Sequence, residues 1–404
     1  MRDALSGVRV LDFCWVGAGA LVTKLLAEHG ADVIKVESRA RPDNLRLSPP
    51  FRPGAEGLDG SGYFASRNND KRSLALNMTT ERGRALARRL AARCDLVTSN
   101  FRPGVMERWG LGYEDVAADN PGVVYLSMPM QGGDGPHRDY VGFGATIAAL
   151  AGLVHLSGLP DRPPVGTGTH YPDHIPSPGH ALVAVLAALR RRRLTGEGCR
   201  IEVSQLESAV ALLAPALAAA AAGLPEPVRS GNRVPEESPS GVFRCRGDDA
   251  WVALAARDDR EWRAVAEVLD APHLAADPRF ATHAARKANE DALERELAAR
   301  CAGRDRHELA RALQERGVPA AAVLAADDVL ADPHLRARRF WRTLEHPVMG
   351  TLTAPAAPFL ADGERTGATR PAPLLGEHTR EIASTLLGLS EAEIAELEEA
   401  QVLW

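Results

Sequence analysis

The stretch His170-Tyr171-Pro172-Asp173-His174-Ile175-Pro176-Ser177-Pro178-Gly179 holds one carboxylate between two prolines, directly ahead of an apolar run at 181–189 that reads as a helix. A carboxylate is ionised at neutral pH and becomes a candidate for chemistry wherever the backbone holds it in a cleft. Proline fixes its own φ and pushes the preceding residue out of the α region, so Asp173 is expected in a rigid, extended or turned connector. A plainer reading stands beside this one, because Asp often caps a following helix, and taken alone Asp173 is more simply a cap. His170, Asp173 and His174 are also metal-ligating types. The prolines prevent a helical face of ligands and no second cluster is visible, so no metal site is expected.

The elements that must position this stretch begin with a βαβ pattern. Residues 8–13 read as a buried strand, 20–29 as a helix and 31–37 as a second strand. The first strand ends at Gly17-Ala18-Gly19 and the second at an acid, which imitates a dinucleotide-binding fingerprint. Val22 stands where the third small residue would be, and its branched side chain would obstruct close helix-to-strand packing, so the nicotinamide reading is set aside. What remains is a Rossmann-like half with a glycine turn that a ligand can approach.

An irregular stretch at 38–69 carries Arg39, Arg41, Arg46, Arg52 and Arg67 among prolines and glycines and has the composition of a long functional loop. Further strands are expected at 74–76, 95–99, 123–128 and 200–204, with a helix at 80–92 capped by Thr80. The strand at 95–99 delivers Asn100-Phe101-Arg102-Pro103-Gly104 at its carboxyl end, where open α/β sheets bind ligands. Repeated strand-then-loop units argue for a parallel, doubly wound sheet. Arg190 to Arg193 read as a solvated helix end, and the alanine-rich run 209–224 as a buried or packing helix. From 241 onward the pattern changes to two strands and then mostly helices. The expected division is a large Rossmann-like domain over 1–225, a smaller α+β domain over 226–325 and a return segment over 326–404.

The chain has 404 residues, too many for one ordinary core. A formal net charge of −5 gives no reason to expect nucleic acid or a membrane surface as partner, so an anionic ligand would need a local basic cluster. The five cysteines are scattered and never spaced as C-x-x-C, which argues against a disulfide framework or zinc ribbon and for the cytoplasm. No charged-then-apolar leader is expected, because Asp12, Lys24 and Glu28 interrupt the first apolar runs.

Several stretches together resemble family III CoA transferases, the carnitine and formyl-CoA transferase family. They are Gly7-Val8-Arg9-Val10-Leu11-Asp12, residues 27–37, 69–73 and 100–104, Gly110-Leu111-Gly112-Tyr113, and residues 186–198 and 373–379. Their order and spacing extend the likeness to nearly the full chain. The resemblance implies an α/β fold, a Rossmann-like large domain containing both termini plus a smaller α+β domain, with two chains interlocked as a dimer. It implies that Asp173 is the catalytic nucleophile, which takes an acyl group from an acyl-CoA as an anhydride and then carries CoA as an aspartyl thioester. A carboxylic acid accepts the CoA. By position, Val16, Gly17 and Ala18 match backbone contacts to CoA, while Arg39, Lys71, Arg72, Asn100, Phe101, Arg102 and Arg108 fall on or beside ligand-contact motifs. Coenzyme A enters as a substrate, and no permanently bound cofactor is expected.

Gly17 replaces a glutamine of formyl-CoA transferases, which argues against oxalate or formate. Ser238-Pro239-Ser240-Gly241 matches a glycine-run lid of some members but keeps one glycine, so a mobile lid is not expected. Residues 15–18, the loop at Arg41 to Arg46 and Gly231-Asn232 look most like the subfamily acting on benzylsuccinate and similar carboxylates, where some enzymes are heteromeric. A homodimer is expected, with a heteromer or a noncatalytic partner subunit as the alternative. The other alternative is an α-methylacyl-CoA racemase, but Phe143 stands where those enzymes place a histidine and cannot move a proton.

Overall fold

The computed structural model describes residues 1–225 and 227–404. Two compact units emerge, one formed by Met1–Val154, Gly166–Glu226 and Arg336–Trp404, the other by His155–Val165 and Pro227–Leu335. The expected boundary at 226 falls on Glu226, outside the described residues. The return to the first unit comes at Arg336 rather than 326, and a short excursion at 155–165 joins the second unit.

The first unit is built on strands β1 (Arg9–Phe13), β2 (Asp32–Glu37), β3 (Arg72–Ala75), β4 (Leu96–Ser99), β5 (Val124–Ser127) and β6 (Cys199–Glu202). They form one sheet in the order β3-β2-β1-β4-β5-β6, every pair parallel. Strands covered on both faces carry near-continuous apolar runs, which is why they were legible as strands. Alternation along β1 divides the core: Leu11 and Phe13 pack on one face, and Val10 on the other. The first face is covered by the helices Glu81–Ala91, Thr379–Thr385 and Glu391–Glu399 through Leu86, Ile382 and Ile394. The second is covered by Ala18–Ala27 and Pro176–Thr195 through Val22, Ala181 and Val185. Each fully buried Leu, Ile or Val contributes roughly 1.5–3 kcal/mol of transfer free energy. The chain's last segment therefore closes the same core that its first strand opens.

The exposed edge of β3 is tied down by the 373–379 segment. Gly376 N–H donates to Ser73 Oγ at 2.9 Å and Ala75 N–H to Thr379 Oγ1 at 2.9 Å, occupying groups that a bare edge would leave open. Helix ends follow their sequence signals: Thr80 Oγ1 accepts from Gly83 N–H, and Gly196 ends Pro176–Thr195 in the left-handed region. The 209–224 run differs from expectation. It divides into the end of Gln205–Val210, a 3₁₀ turn and Ala214–Ala221, because Pro215 fits only the first turn of a new helix.

The second unit carries an antiparallel sheet of β7 (Ser240–Arg244), β8 (Trp251–Ala255) and β9 (Ala320–Ala322). Helices Asp259–Val268, Glu290–Cys301 and Arg306–Glu315 bury Trp262, Leu293, Leu297 and Leu309 against it. Ser238 is fully buried and its carbonyl accepts from Arg286 Nε at 2.6 Å, while Ser240 and Gly241 already belong to β7. The stretch matched to a lid is thus pinned into a sheet. No helix among the described residues is long and apolar enough to cross a membrane.

Candidate active site

The sheet order reverses between β1 and β4, and in such sheets the crevice outside the carboxyl ends of those two strands is where ligands bind. The loops leaving them, Trp15-Val16-Gly17-Ala18 and Asn100-Phe101-Arg102-Pro103, line one cavity of about 410 Å³ there. Asp173 stands in its wall.

Asp173 is not in an extended connector. It lies in a one-turn helix, Tyr171–His174, and is 8% exposed. The prolines permit this because each occupies a first turn, Pro172 in the short helix and Pro176 at the start of Pro176–Thr195, where no N–H is missed. The cap reading also fails, since Ile175 is the N-cap of the long helix and no side chain caps it.

Two glycines make the seat for the Asp173 carboxylate. A Cβ on Gly17 would stand 2.9 Å from Asp173 Cβ and 3.2 Å from Oδ2, and one on Gly144 would stand 2.5 Å from Oδ2. The Gly144 backbone N–H lies close enough to the carboxylate to favour its charged form. Burial pushes the Asp173 carboxyl above its ordinary value, while His170, the Gly144 N–H and Arg67 hold it back. The result is a desolvated carboxylate, a better nucleophile than a hydrated one, with a donor in place beside it.

The β1 loop is held in an unusual shape. Val16 has φ +63°, a region that β-branched residues avoid at a cost of order 1–3 kcal/mol. Its N–H donates to Asp43 Oδ1 at 3.1 Å, and Asp43 in turn is held by Lys35 Nζ at 2.8 Å. Lys35 also donates to the Cys14 carbonyl at 3.0 Å. From the other side Asn100 clamps Trp15, accepting from its N–H at 2.9 Å and donating to its carbonyl at 2.6 Å. Lys35 and Asp43 are fully buried, so this support is a salt bridge inside the core.

Seven of the sequence-derived site residues come together here: Asp173, Val16, Gly17, Ala18, Asn100, Phe101 and Arg102 all line the one cavity. A second cavity of about 420 Å³ shares Trp15, Phe101 and Arg102 with it and adds Arg41, Arg108 and Trp109. Three residues fall elsewhere. Lys71 is fully buried, and its ammonium donates to Asp12 Oδ2, Asn68 Oδ1 and the Ala20 carbonyl at 2.9, 2.9 and 3.1 Å. Its three donors are spent inside the protein, so it is a strut of β1 with none left for a ligand. Arg72 grips Asp32 through two bonds of 2.8 and 2.7 Å. Asp32 opens β2 beside Arg9, at the end of the sheet away from the crevice, and Arg72 reaches back to it from the first residue of β3. Arg39 is exposed and lines neither cavity; Ser38 and Arg41 take the place expected of it.

The model of CoA-transferase family III matches residues 5–379. The chain belongs to CoA-transferase family III. It is a CoA-transferase, with CoA as a substrate. This family III chain is 33% identical to a succinyl-CoA–D-citramalate CoA-transferase of Chloroflexus aurantiacus, over 99% of this chain and 98% of that one. It is 32% identical to a succinyl-CoA:glutarate CoA-transferase of Mus musculus, over 97% and 88%. It is 34% identical to a succinyl-CoA:mesaconate CoA-transferase of Haloarcula hispanica, over 94% and 95%. A solved CAIB/BAIF family protein from Brucella suis superposes with a TM-score of 0.87 at 32% identity, covering 96% of this chain and all of that one.

The family III site also contains residues that sequence reasoning did not assign. Gly144 was legible only as part of Val141-Gly142-Phe143-Gly144, and nothing local announces that its N–H meets Asp173. Asp43 carried no signal at all. Arg67 appeared merely as one arginine of a long loop, yet it lies at the end of the helix Gly62–Asn68, with its Nη2 3.4 Å from His174 Nδ1 and its charge felt by Asp173. Burial, then Arg67 and His170, pull the His174 imidazole down to about 4, so at neutral pH it is uncharged and accepts from the guanidinium.

Proposed function

We propose that this enzyme transfers CoA from an acyl-CoA to a carboxylic acid with Asp173 as the covalent carrier. The observation that carries the reading is the desolvated carboxylate of Asp173, seated between Gly17 and Gly144 in the wall of the cavity at the β1/β4 crevice. An Asp173 oxygen attacks the thioester carbonyl; the C–S bond breaks, CoA leaves as thiolate and an acyl-aspartyl anhydride remains. The thiolate then attacks Asp173 Cγ, which releases the donor acid as carboxylate and leaves aspartyl-CoA thioester. The acceptor carboxylate attacks the same Cγ and expels thiolate, and the thiolate takes the new acyl group, restoring the Asp173 carboxylate. Charge and protons balance throughout, so no general acid is required. The Gly144 N–H is placed to stabilise charge that develops on the aspartyl oxygen.

For CoA itself, Val16, Gly17 and Ala18 offer close backbone approach, and Phe101, Trp15 and Trp109 offer aromatic surface. Arg102, Arg108 and Arg41 are exposed cations that suit phosphates. Asn100 contributes by fixing Trp15, and Lys71 and Arg72 act through the sheet. The interlocked homodimer belongs to the same proposal. Its support is that Ala214–Ala221 buries none of its residues and that Val183 is 71% exposed on Pro176–Thr195. A single-chain mass by light scattering would remove the dimer.

The chemical test is direct. Purified chain mixed with an acyl-CoA is quenched with hydroxylamine or borohydride, and peptide mass spectrometry locates the product at Asp173. Full transferase activity in Asp173→Ala would overturn the proposal.

A further inference from the structure

Arg46 and Arg72 of the first unit each end on a carboxylate, Arg46 on Glu37 at 2.8 Å and Arg72 on Asp32 at 2.7 Å. Two other arginines withdrawn from water in this unit do not. Arg342 lies on β10 (Trp341–His346), which pairs antiparallel with β11 (Gly350–Pro355), and Arg365 lies in the segment that follows. Both are half-buried, and among the described residues neither has a carboxylate within ion-pair distance. Each spends one donor on a backbone carbonyl, Arg342 Nη2 on that of Arg365 and Arg365 Nη1 on that of Ala357. The Phe340 ring lies 5.6 Å from the Arg365 guanidinium and steadies it without neutralising it. The Nε of each arginine is buried with no acceptor. A buried donor left unpaired is costly, and more so on a charged group, so two such orphans at one place point to a shared acceptor that the chain does not supply.

Both arginines line one cavity of about 430 Å³, together with Arg2, Glu364, Thr366 and Thr369. Three arginines against one glutamate leave its lining with two surplus positive charges. The cavity lies at the end of the sheet opposite the crevice. Thr369 N–H donates to Asp70 Oδ2 at 3.0 Å, and Thr366 Oγ1 stands 3.4 Å from His29 Nε2. Asp70 comes just before β3 and His29 just before β2, so both mark the amino ends of parallel strands. A ligand here is out of reach of Asp173, and its role is separate from CoA transfer.

We infer that this cavity is a second, noncatalytic site, which binds the phosphate group of a small phosphate ester between Arg342 and Arg365. A phosphate monoester is largely a dianion at neutral pH and has three acceptor oxygens. It cancels both surplus charges and gives each orphaned Nε an acceptor, where a carboxylate would cancel only one. The cavity also exceeds a water's share of volume, about 30 Å³, more than tenfold, which leaves room for an organic group behind the phosphate.

The test titrates glycerol 3-phosphate, inorganic phosphate and acetate calorimetrically into the full chain at one ionic strength. The wild type is expected to bind the ester saturably, one per chain, more tightly than inorganic phosphate, and acetate not at all. Arg342→Gln and Arg365→Gln should each weaken the ester about 30-fold, the loss of a charge-assisted pair of bonds. Arg342→Lys and Arg365→Lys keep the charge and should recover part of that loss. Arg102→Gln, in the crevice, should leave this affinity unchanged, and CoA exchange in Arg342→Gln and Arg365→Gln without added phosphate should stay within about threefold of the wild type. Inorganic phosphate binding more tightly than glycerol 3-phosphate overturns the assignment to an ester. Absence of saturable binding in the wild type overturns the inference, as does an affinity that falls in Arg102→Gln but not in the folded Gln or Lys variants of Arg342 and Arg365.

Discussion

Replacing Gly144 by alanine puts a methyl carbon into the seat of the Asp173 carboxylate. The new Cβ would lie 2.5 Å from Asp173 Oδ2, 2.9 Å from Cγ and 2.9 Å from His170 Cβ, where ordinary contact begins near 3.4 Å. The backbone itself accepts alanine, since Gly144 opens the helix Gly144–Leu150 and is not among the positive-φ glycines. Alanine even favours a helix by up to about 1 kcal/mol over glycine. The clash must therefore be relieved by moving Asp173 by about 1 Å, away from the N–H that orients it. A displacement of that size costs on the order of 100-fold in rate, or about 2.7 kcal/mol of transition-state stabilisation. Overpacking subtracts about 1–3 kcal/mol of stability, partly offset by the helix gain. Steady-state CoA exchange gives kcat/KM, thermal melting the stability, and Gly179→Ala is the control because a Cβ there meets nothing within 4 Å. If Gly144→Ala keeps kcat/KM within about threefold of the wild type and still yields the trapped Asp173 adduct, the carboxylate does not depend on this seat and the reasoning fails.

Asp173→Asn should abolish transfer yet leave the protein at least as heat-stable as the wild type at neutral pH. The sign follows from the raised carboxyl: its contribution to stability is fully present below the unfolded value and is lost as pH rises through the folded one, so the ionised form is a cost at neutrality. Melting curves across the acid-to-neutral range should bring the two proteins together as Asp173 becomes protonated, and an Asn variant that melts lower at neutral pH contradicts this. Asp43→Ala should destabilise by about 3–5 kcal/mol, because it strands the fully buried Lys35 and frees the strained Val16. An unchanged denaturation midpoint would mean that Lys35 finds another partner.

What could be read from the sequence was whatever a local pattern determines. The apolar runs of β1, β2, β4 and β5 announced a parallel sheet, Thr80 announced a helix start, and the loops after β1 and β4 were recognisable as ligand-facing. Reading Asp173 as extended failed because a rule about prolines inside helices was applied to prolines that open them. Lys71 and Arg72 sit in a motif that resemblance marks as ligand-proximal, but β3 begins there, and the amino end of a parallel strand points away from the crevice. Gly144, Asp43 and Arg67 matter through partners 29, 27 and 106 positions away, namely Asp173, Val16 and Asp173 again, and no spacing rule reaches that far.

The seat of Asp173 lies in a partition. Its carboxylate opens on the cavity of Trp15 and Phe101, while its neighbours His170 and His174 face a larger cavity on the side of Tyr63, and the Gly144–Ala145 step is shared between the two in the same way. A carrier placed at such a wall lets the two travellers use separate doors. On the mechanism proposed above, acids would be exchanged through one chamber while the pantetheine arm stays threaded in the other, which would keep its sulfur near the carbon it must rejoin. The interval in which water could intercept the activated carboxyl is then only the time one acid takes to replace another.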